Sequence, residues 1–129
     1  MFGKDMEKLK SFLGTQSELR GDLKIKGILR LDGIVSGRIE ADQVILSETA
    51  VARGEIAAKK IIVGGRAEGI LRATGLLEIR PKGKVEGEIF TSKLLIMEGG
   101  QFNGQIEMSS DKTNILDFES KGQEISLKR

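Results

Sequence analysis

From Leu19 onward apolar and polar residues alternate, with Leu19, Leu23 and Ile25 set against Arg20, Asp22, Lys24 and Lys26. A period of two is that of a β-strand with one face turned inward. The alternation keeps returning to one five-residue unit: apolar, any residue, glycine, any residue, apolar. It occurs as Leu19-x-Gly21-x-Leu23, Val35-x-Gly37-x-Ile39 and Ala52-x-Gly54-x-Ile56. It returns as Ala67-x-Gly69-x-Leu71, Val85-x-Gly87-x-Ile89 and Phe102-x-Gly104-x-Ile106. The glycines are separated by 16, 17, 15, 18 and 17 residues. Six copies at nearly one spacing mark a repeat architecture.

Aligned on these glycines, the repeats agree elsewhere. Four residues after the glycine stand Ile25, Ala41, Ala58, Ala73, Thr91 and Met108. A second alternating apolar pair follows: Val44 and Leu46, Ile61 and Val63, Leu94 and Ile96. In the first and fourth repeats this pair slips one place, to Leu29 and Leu31 and to Leu77 and Ile79. Four residues before the next glycine another small residue recurs: Gly33, Ala50, Gly65, Gly83, Gly100. Each repeat therefore predicts about three short strands joined at corners. The one proline, Pro81, falls in a corner of the longest repeat, where a missing N–H does no harm. Hairpin turns at two-residue spacing do not recur, so the strands are expected to coil rather than meander. In a solenoid each strand pairs in parallel with its counterpart one turn along, and inward residues stack into aliphatic columns. Five intervals at ~4.8 Å per strand spacing give a rod roughly 25 Å long.

One place after each motif glycine stand Asp22, Arg38, Glu55, Ile70, Glu88 and Gln105, an outward column whose first three members alternate in sign. Such exposed pairs contribute ~0–1 kcal/mol each, so a solvated face explains them. Ile45, Ile62 and Leu95 lie one place off the inward positions of their strands. They are expected either to face outward, as a lateral contact, or to reveal a different register. Phe102 replaces the usual Val or Ala in the last repeat, with Phe90 shortly before it. Both are expected to fill the end turn or to form a terminal face that binds another molecule.

The ends differ from this core. In residues 1–14, Phe2, Met6, Leu9 and Leu13 fall at helical spacing, with Phe12 beside them and Lys4, Lys8 and Lys10 off the stripe. A short docked helix would explain this segment. So would a membrane foot in which Met1, Phe2, Met6, Leu9, Phe12 and Leu13 dip into lipid while Lys4 and Lys8 meet anionic headgroups. Residues 15–18 read as a connector, 19–108 as the coil and 109–129 as a polar tail. In that tail Ile115, Leu116 and Phe118 are the apolar exception, able to cap the last turn; otherwise both terminal segments are expected to be flexible.

Composition narrows the chemistry. Net charge is +2 from 21 bases and 19 acids, spread evenly, and aromatic residues make up 4%. A nucleic-acid footprint needs a basic stripe with stacking aromatics, so no nucleic-acid partner is expected. Cysteine and histidine are both absent, which excludes disulfides and thiolate metal sites and removes the usual general base. No G-x-x-x-x-G-K-[ST] loop is present; Gly64-Gly65-Arg66 and Lys82-Gly83-Lys84 are corners. Glu40/Asp42 and Glu86/Glu88 sit on outward positions, where solubility explains them. No catalytic, cofactor or metal site is expected, and without a secretory signal pattern the default is a cytosolic protein.

The succession Gly-x-Ile-x-Ala-x-x-Val-x-Leu over residues 37–46, and Gly54-x-Ile56-x-Ala58-x-x-Ile61-x-Val63, resembles the bactofilins. The Met-Phe-Gly-Lys start joined to a core of 17-residue period is similar too. That resemblance implies a right-handed, triangular β-helix that polymerises end to end into non-polar, nucleotide-independent cytoskeletal filaments. It implies a scaffold at the inner face of the cytoplasmic membrane, supporting cell shape or placing cell-wall enzymes. The chain departs from the family in lacking Pro-rich tails. An uncapped coil also predicts joining, since stacking continues the core and satisfies edge N–H and C=O groups. Leu19, Leu23 and Ile25 are the expected contact at one end, and Phe102, Ile106 and Met108 at the other. The alternative is a monomeric β-solenoid that serves as a binding or adhesion module.

Overall fold

The computed structural model describes residues 11–108. Those residues form nine strands and no helix: β1 (Ser11–Leu13), β2 (Glu18–Lys24), β3 (Ile28–Leu31), β4 (Ile34–Glu40), β5 (Gln43–Leu46), β6 (Val51–Val63), β7 (Arg66–Ile79), β8 (Lys84–Ile96) and β9 (Gln101–Met108). Every pairing is parallel and joins a strand to its counterpart one turn along. One ladder runs β2, β4 and the first halves of β6, β7 and β8, then β9. The other runs β1, β3, β5 and the second halves of β6, β7 and β8. The chain is a β-solenoid, and its six stacked glycines enclose five turns.

Each turn bends at three places. The first is the motif glycine, whose φ lies between +122° and +145° in all six copies. A β-carbon built on Gly54 would overlap the carbonyl oxygen of Gly37, and the same holds for Gly37 on Gly21, Gly69 on Gly54, Gly87 on Gly69 and Gly104 on Gly87. Both the backbone angle and the absent side chain are therefore required. The second bend is the break in the ladder after Ala58 and Ala73. The third is a turn, closed by Ala50 N–H donating to Ser47 O at 3.0 Å and Gly83 N–H donating to Arg80 O at 2.8 Å.

These corners absorb the uneven repeat lengths. The third corner has four residues in the turns Ser47–Ala50, Arg80–Gly83 and Met97–Gly100, but only two at Asp32-Gly33 and Gly64-Gly65. The second corner carries one extra residue in the first and fourth repeats, which shifts register between Ala73 and Leu76. Leu29 and Leu77 thereby still land on the column of Val44, Ile61 and Leu94. That column and its neighbours are the core, aliphatic with one exception: Leu31, Val35, Val44, Ile61, Val63, Leu77 and Ile79 have no exposed surface. Thr91 is the one polar member among the described residues, and its hydroxyl donates to Lys93 O at 3.0 Å.

Outward positions obey the expected register but pair partly on the diagonal. Arg53 meets Glu68 straight across at 3.2 Å and Arg38 meets Glu55 straight across at 3.9 Å, whereas Arg72 reaches Glu55 on the diagonal at 3.0 Å. Ile45, Ile62 and Leu95 do face outward, in one column with Arg30 and Glu78. Phe90 is also an outward residue, in one column with Arg72 and Glu107, so of its two expected places the one inside the end turn is corrected. The Arg72 guanidinium lies 4.6 Å from its ring centre, covering the face it would otherwise turn to water.

The N-terminal helical pattern does not persist to Leu13. Ser11, Phe12 and Leu13 pair in parallel with Leu29, Arg30 and Leu31, so the coil is already under way at Ser11, ahead of Leu19. The connector expected at 15–18 is a corner, with Ser17 N–H donating to Gly14 O at 3.1 Å, and Glu18 already belongs to β2. Met1, Phe2, Lys4, Met6, Lys8 and Leu9, like the tail 109–129, lie outside the described residues.

The glycine column supplies a graded test. Gly21→Ala meets no atom of the described residues within 4 Å and bears only backbone strain, about 1–3 kcal/mol. Gly54→Ala must also displace the strand beneath, at a further cost of about 1–3 kcal/mol. Urea unfolding of unassembled protein, followed by circular dichroism, should separate the two variants in that order.

Candidate assembly interfaces

The inward columns run the length of the coil and stop abruptly. At the N-terminal end β2 pairs only with β4 among the described residues, so its other backbone edge is unpaired. Leu19, Leu23 and Ile25 sit there partly buried against the core, whereas their successors Val35 and Ile39 are sealed. At the C-terminal end β9 pairs only with β8, and Phe102 and Ile106 are again partly buried. Met108 is half-buried at the end of β9. The six residues expected to line the ends are thus brought to the two ends, three at each.

The structure adds residues that the motif did not point to. β9 covers only the first ladder, so the second half of β8 has no strand above it among the described residues. Leu77 and Ile79 have no exposed surface, but Ile96, one turn on, is 39% exposed. Leu95 at 46% and Met97 at 37% complete an apolar step beside the end of β9. The signal was present in the chain: Leu94-x-Ile96 is the last apolar pair of its kind before the polar stretch from Ser109. Among the described residues there is no cluster of three acidic side chains placed to hold a metal.

A family model described as polymer-forming cytoskeletal, Bactofilin, matches residues 11–107. The chain belongs to the bactofilin family. Its matched span coincides with the coil, from β1 to the last residues of β9. Among curated bactofilins, BacO of Myxococcus xanthus is 25% identical over 97 residues, covering 74% of this chain and 77% of BacO. BacP of the same organism is 29% identical over 82 residues, covering 60% of this chain. The chain spans about a third of BacP's length, at 34%. No solved structure matches. Membership places the chain in a structural, polymer-forming cytoskeletal family, so its two apolar ends become the surfaces to explain.

If the step is uncovered in the unassembled protein, truncations along one column should differ in cost. Leu77→Ala should lower unfolding free energy by about 3–4 kcal/mol, and Leu94→Ala by about half as much. Thermal or urea unfolding of unassembled protein reads the difference directly.

Proposed function

We propose that this bactofilin is a non-enzymatic scaffold whose copies join end to end into filaments through Leu19, Leu23 and Ile25 at one end and Phe102, Ile106 and Met108 at the other. The observation that carries this reading is the pair of open ends. Among the described residues each presents an unpaired strand edge above half-buried apolar columns. Such an edge is a template for strand addition, and joining one end to another repeats the packing found between turns. That step buries apolar surface and pairs backbone groups without any input of chemical energy. Assembly is therefore nucleotide-independent in this reading, and filaments made by pairing like ends are non-polar.

The membrane half of the proposal rests on the N-terminal segment. Met1, Phe2, Met6 and Leu9 with Lys4 and Lys8 have the composition of an interfacial anchor, joined by Phe12 and Leu13 where the coil starts. One short anchor binds weakly, but a filament presents many at high effective concentration. A filament so held at the inner face of the cytoplasmic membrane suits a role in cell shape or in placing cell-wall enzymes.

Phe102→Asp should abolish filaments in electron microscopy of nucleotide-free protein while leaving the β-rich circular dichroism spectrum intact. Persisting filaments would reject the C-terminal assignment, and a wild-type protein that runs only as a small species on a sizing column favours the monomeric binding module. For the membrane, removal of residues 1–10, which spares β1, should reduce co-sedimentation with anionic liposomes, and unchanged pelleting sinks the anchor.

A further inference from the structure

The face between the second and third corners differs from the other two. Its outward positions form two columns: Ile28, Gln43, Lys60, Leu76 and Lys93 in one, Arg30, Ile45, Ile62, Glu78 and Leu95 in the other. Every strand of this ladder has an apolar residue at such a position, and the register sets Phe12 of β1 at the head of the second column. On each of the other faces at least three of the six strands have none. Ile28, Ile45, Ile62 and Leu76 are half-buried among their neighbours, and Leu95 is exposed.

We propose that the coil itself lies by this face against an anionic lipid surface, its isoleucines and leucines at the acyl boundary and Lys60 and Lys93 on lipid phosphates. This rests on the membrane reading above and adds to the N-terminal segment a second contact, on the folded coil.

Charge favours that occupant. Arg30 meets Asp32 at 3.3 Å and Glu78 meets Arg80 at 3.7 Å, both at the third corner. The charges left without an ion-pair partner on this face, among the described residues, are then two lysines. Lys60 and Lys93 stand on either side of Leu76 in one column. A lysine stem packs along apolar surface while its ammonium reaches past it, so the pair can hold phosphates around a greasy centre. An apolar, net basic face is what an anionic interface attracts. The face between the glycine and the second corner carries five acids against three bases at its outward positions and would be turned away. A second copy offering the same basic face would set lysine against lysine, which disfavours a like partner.

The path of the chain points the same way. The N-terminal segment enters the coil through β1, and β1 pairs with β3 on this ladder and with no other strand among the described residues. An anchor held in lipid just ahead of Ser11 sets this face nearest to the same surface. The columns run along the coil axis, so the contact follows the length of a filament and leaves both ends free.

The chain has no tryptophan and no tyrosine, so one introduced indole reports on its own surroundings. Full-length Ile62→Trp places it on this face, and Ile70→Trp on the acidic one, in the column of Glu55 and Glu88. On vesicles of phosphatidylglycerol and brominated phosphatidylcholine, Ile62→Trp emission should fall several-fold and Ile70→Trp emission should hold. Quenching equal at both, confined to Ile70→Trp, or absent from both while the protein pellets with the vesicles overturns the face and leaves the N-terminal anchor standing. If wild-type protein does not pellet, the membrane reading itself has failed, and the face with it. A blue shift of Ile62→Trp on assembly without vesicles would assign the face to contact between copies instead. Lysine replacement gives a second measure. Lys60→Gln should weaken pelleting about fivefold, the effect of losing one interfacial base, with circular dichroism unchanged. Lys84→Gln, the same change on another face where salt screens it from the lipid, should pellet as wild type does. Equal losses from the two would mean that net charge alone draws the protein to lipid, against this orientation.

Discussion

Backbone resting on backbone at the glycine corner governs this molecule. At that corner the carbonyl of one turn occupies the place where the next turn's β-carbon would stand. No side chain of any kind fits, and the φ required is one that L-residues avoid. The corner therefore pins the register of consecutive turns to a single residue. Once glycine lies over glycine, the residues two before and two after it must also stack, and both are apolar in every repeat. A slip of one place would turn an entire inward column to water. Core, ladder and shape all follow from one close contact repeated five times.

A constraint this tight needs slack elsewhere, and the other two corners provide it. Repeat length varies through the third corner, which takes two or four residues, and through single insertions at the second. Inserted residues add no strand and disturb no column, because a corner has no register of its own. Buried small residues mark where corners pass closest to the turn before: a β-carbon on Gly65 would collide with Ser47 O and Ala50 O. Variation is absorbed on the rim while the core repeats.

Most of this could be read from residues alone, since a glycine period and an alternation of two are local signals that the solenoid converts directly into contacts. The inward positions, the one-place slip at Leu29 and Leu77 and the column of Asp22, Arg38 and Glu55 all sit as spacing implied. Three features did not yield to spacing. Ser11–Leu13 carried a helical phase together with the residues before it, but three residues on an open edge take their conformation from the strand they pair with. Phe90 stood near Phe102 in the chain, yet parity sends one outward and one inward. The apolar step at Leu95, Ile96 and Met97 depends on which ladder ends first, a property of the whole coil and of no single repeat.

Apolar columns drive ends together but say little about which ends meet. Apolar side chains close the columns at both ends, and the drive to bury them has no preferred orientation. Selection must then come from directional groups at the rim, where a mismatched charge costs more than a matched one contributes. The internal strands spend their charges on neighbours one turn away, as Arg53 does on Glu68 and Arg72 on Glu55. Among the described residues β2 has no turn before it on its own ladder, so one side of its charged face has no neighbour there.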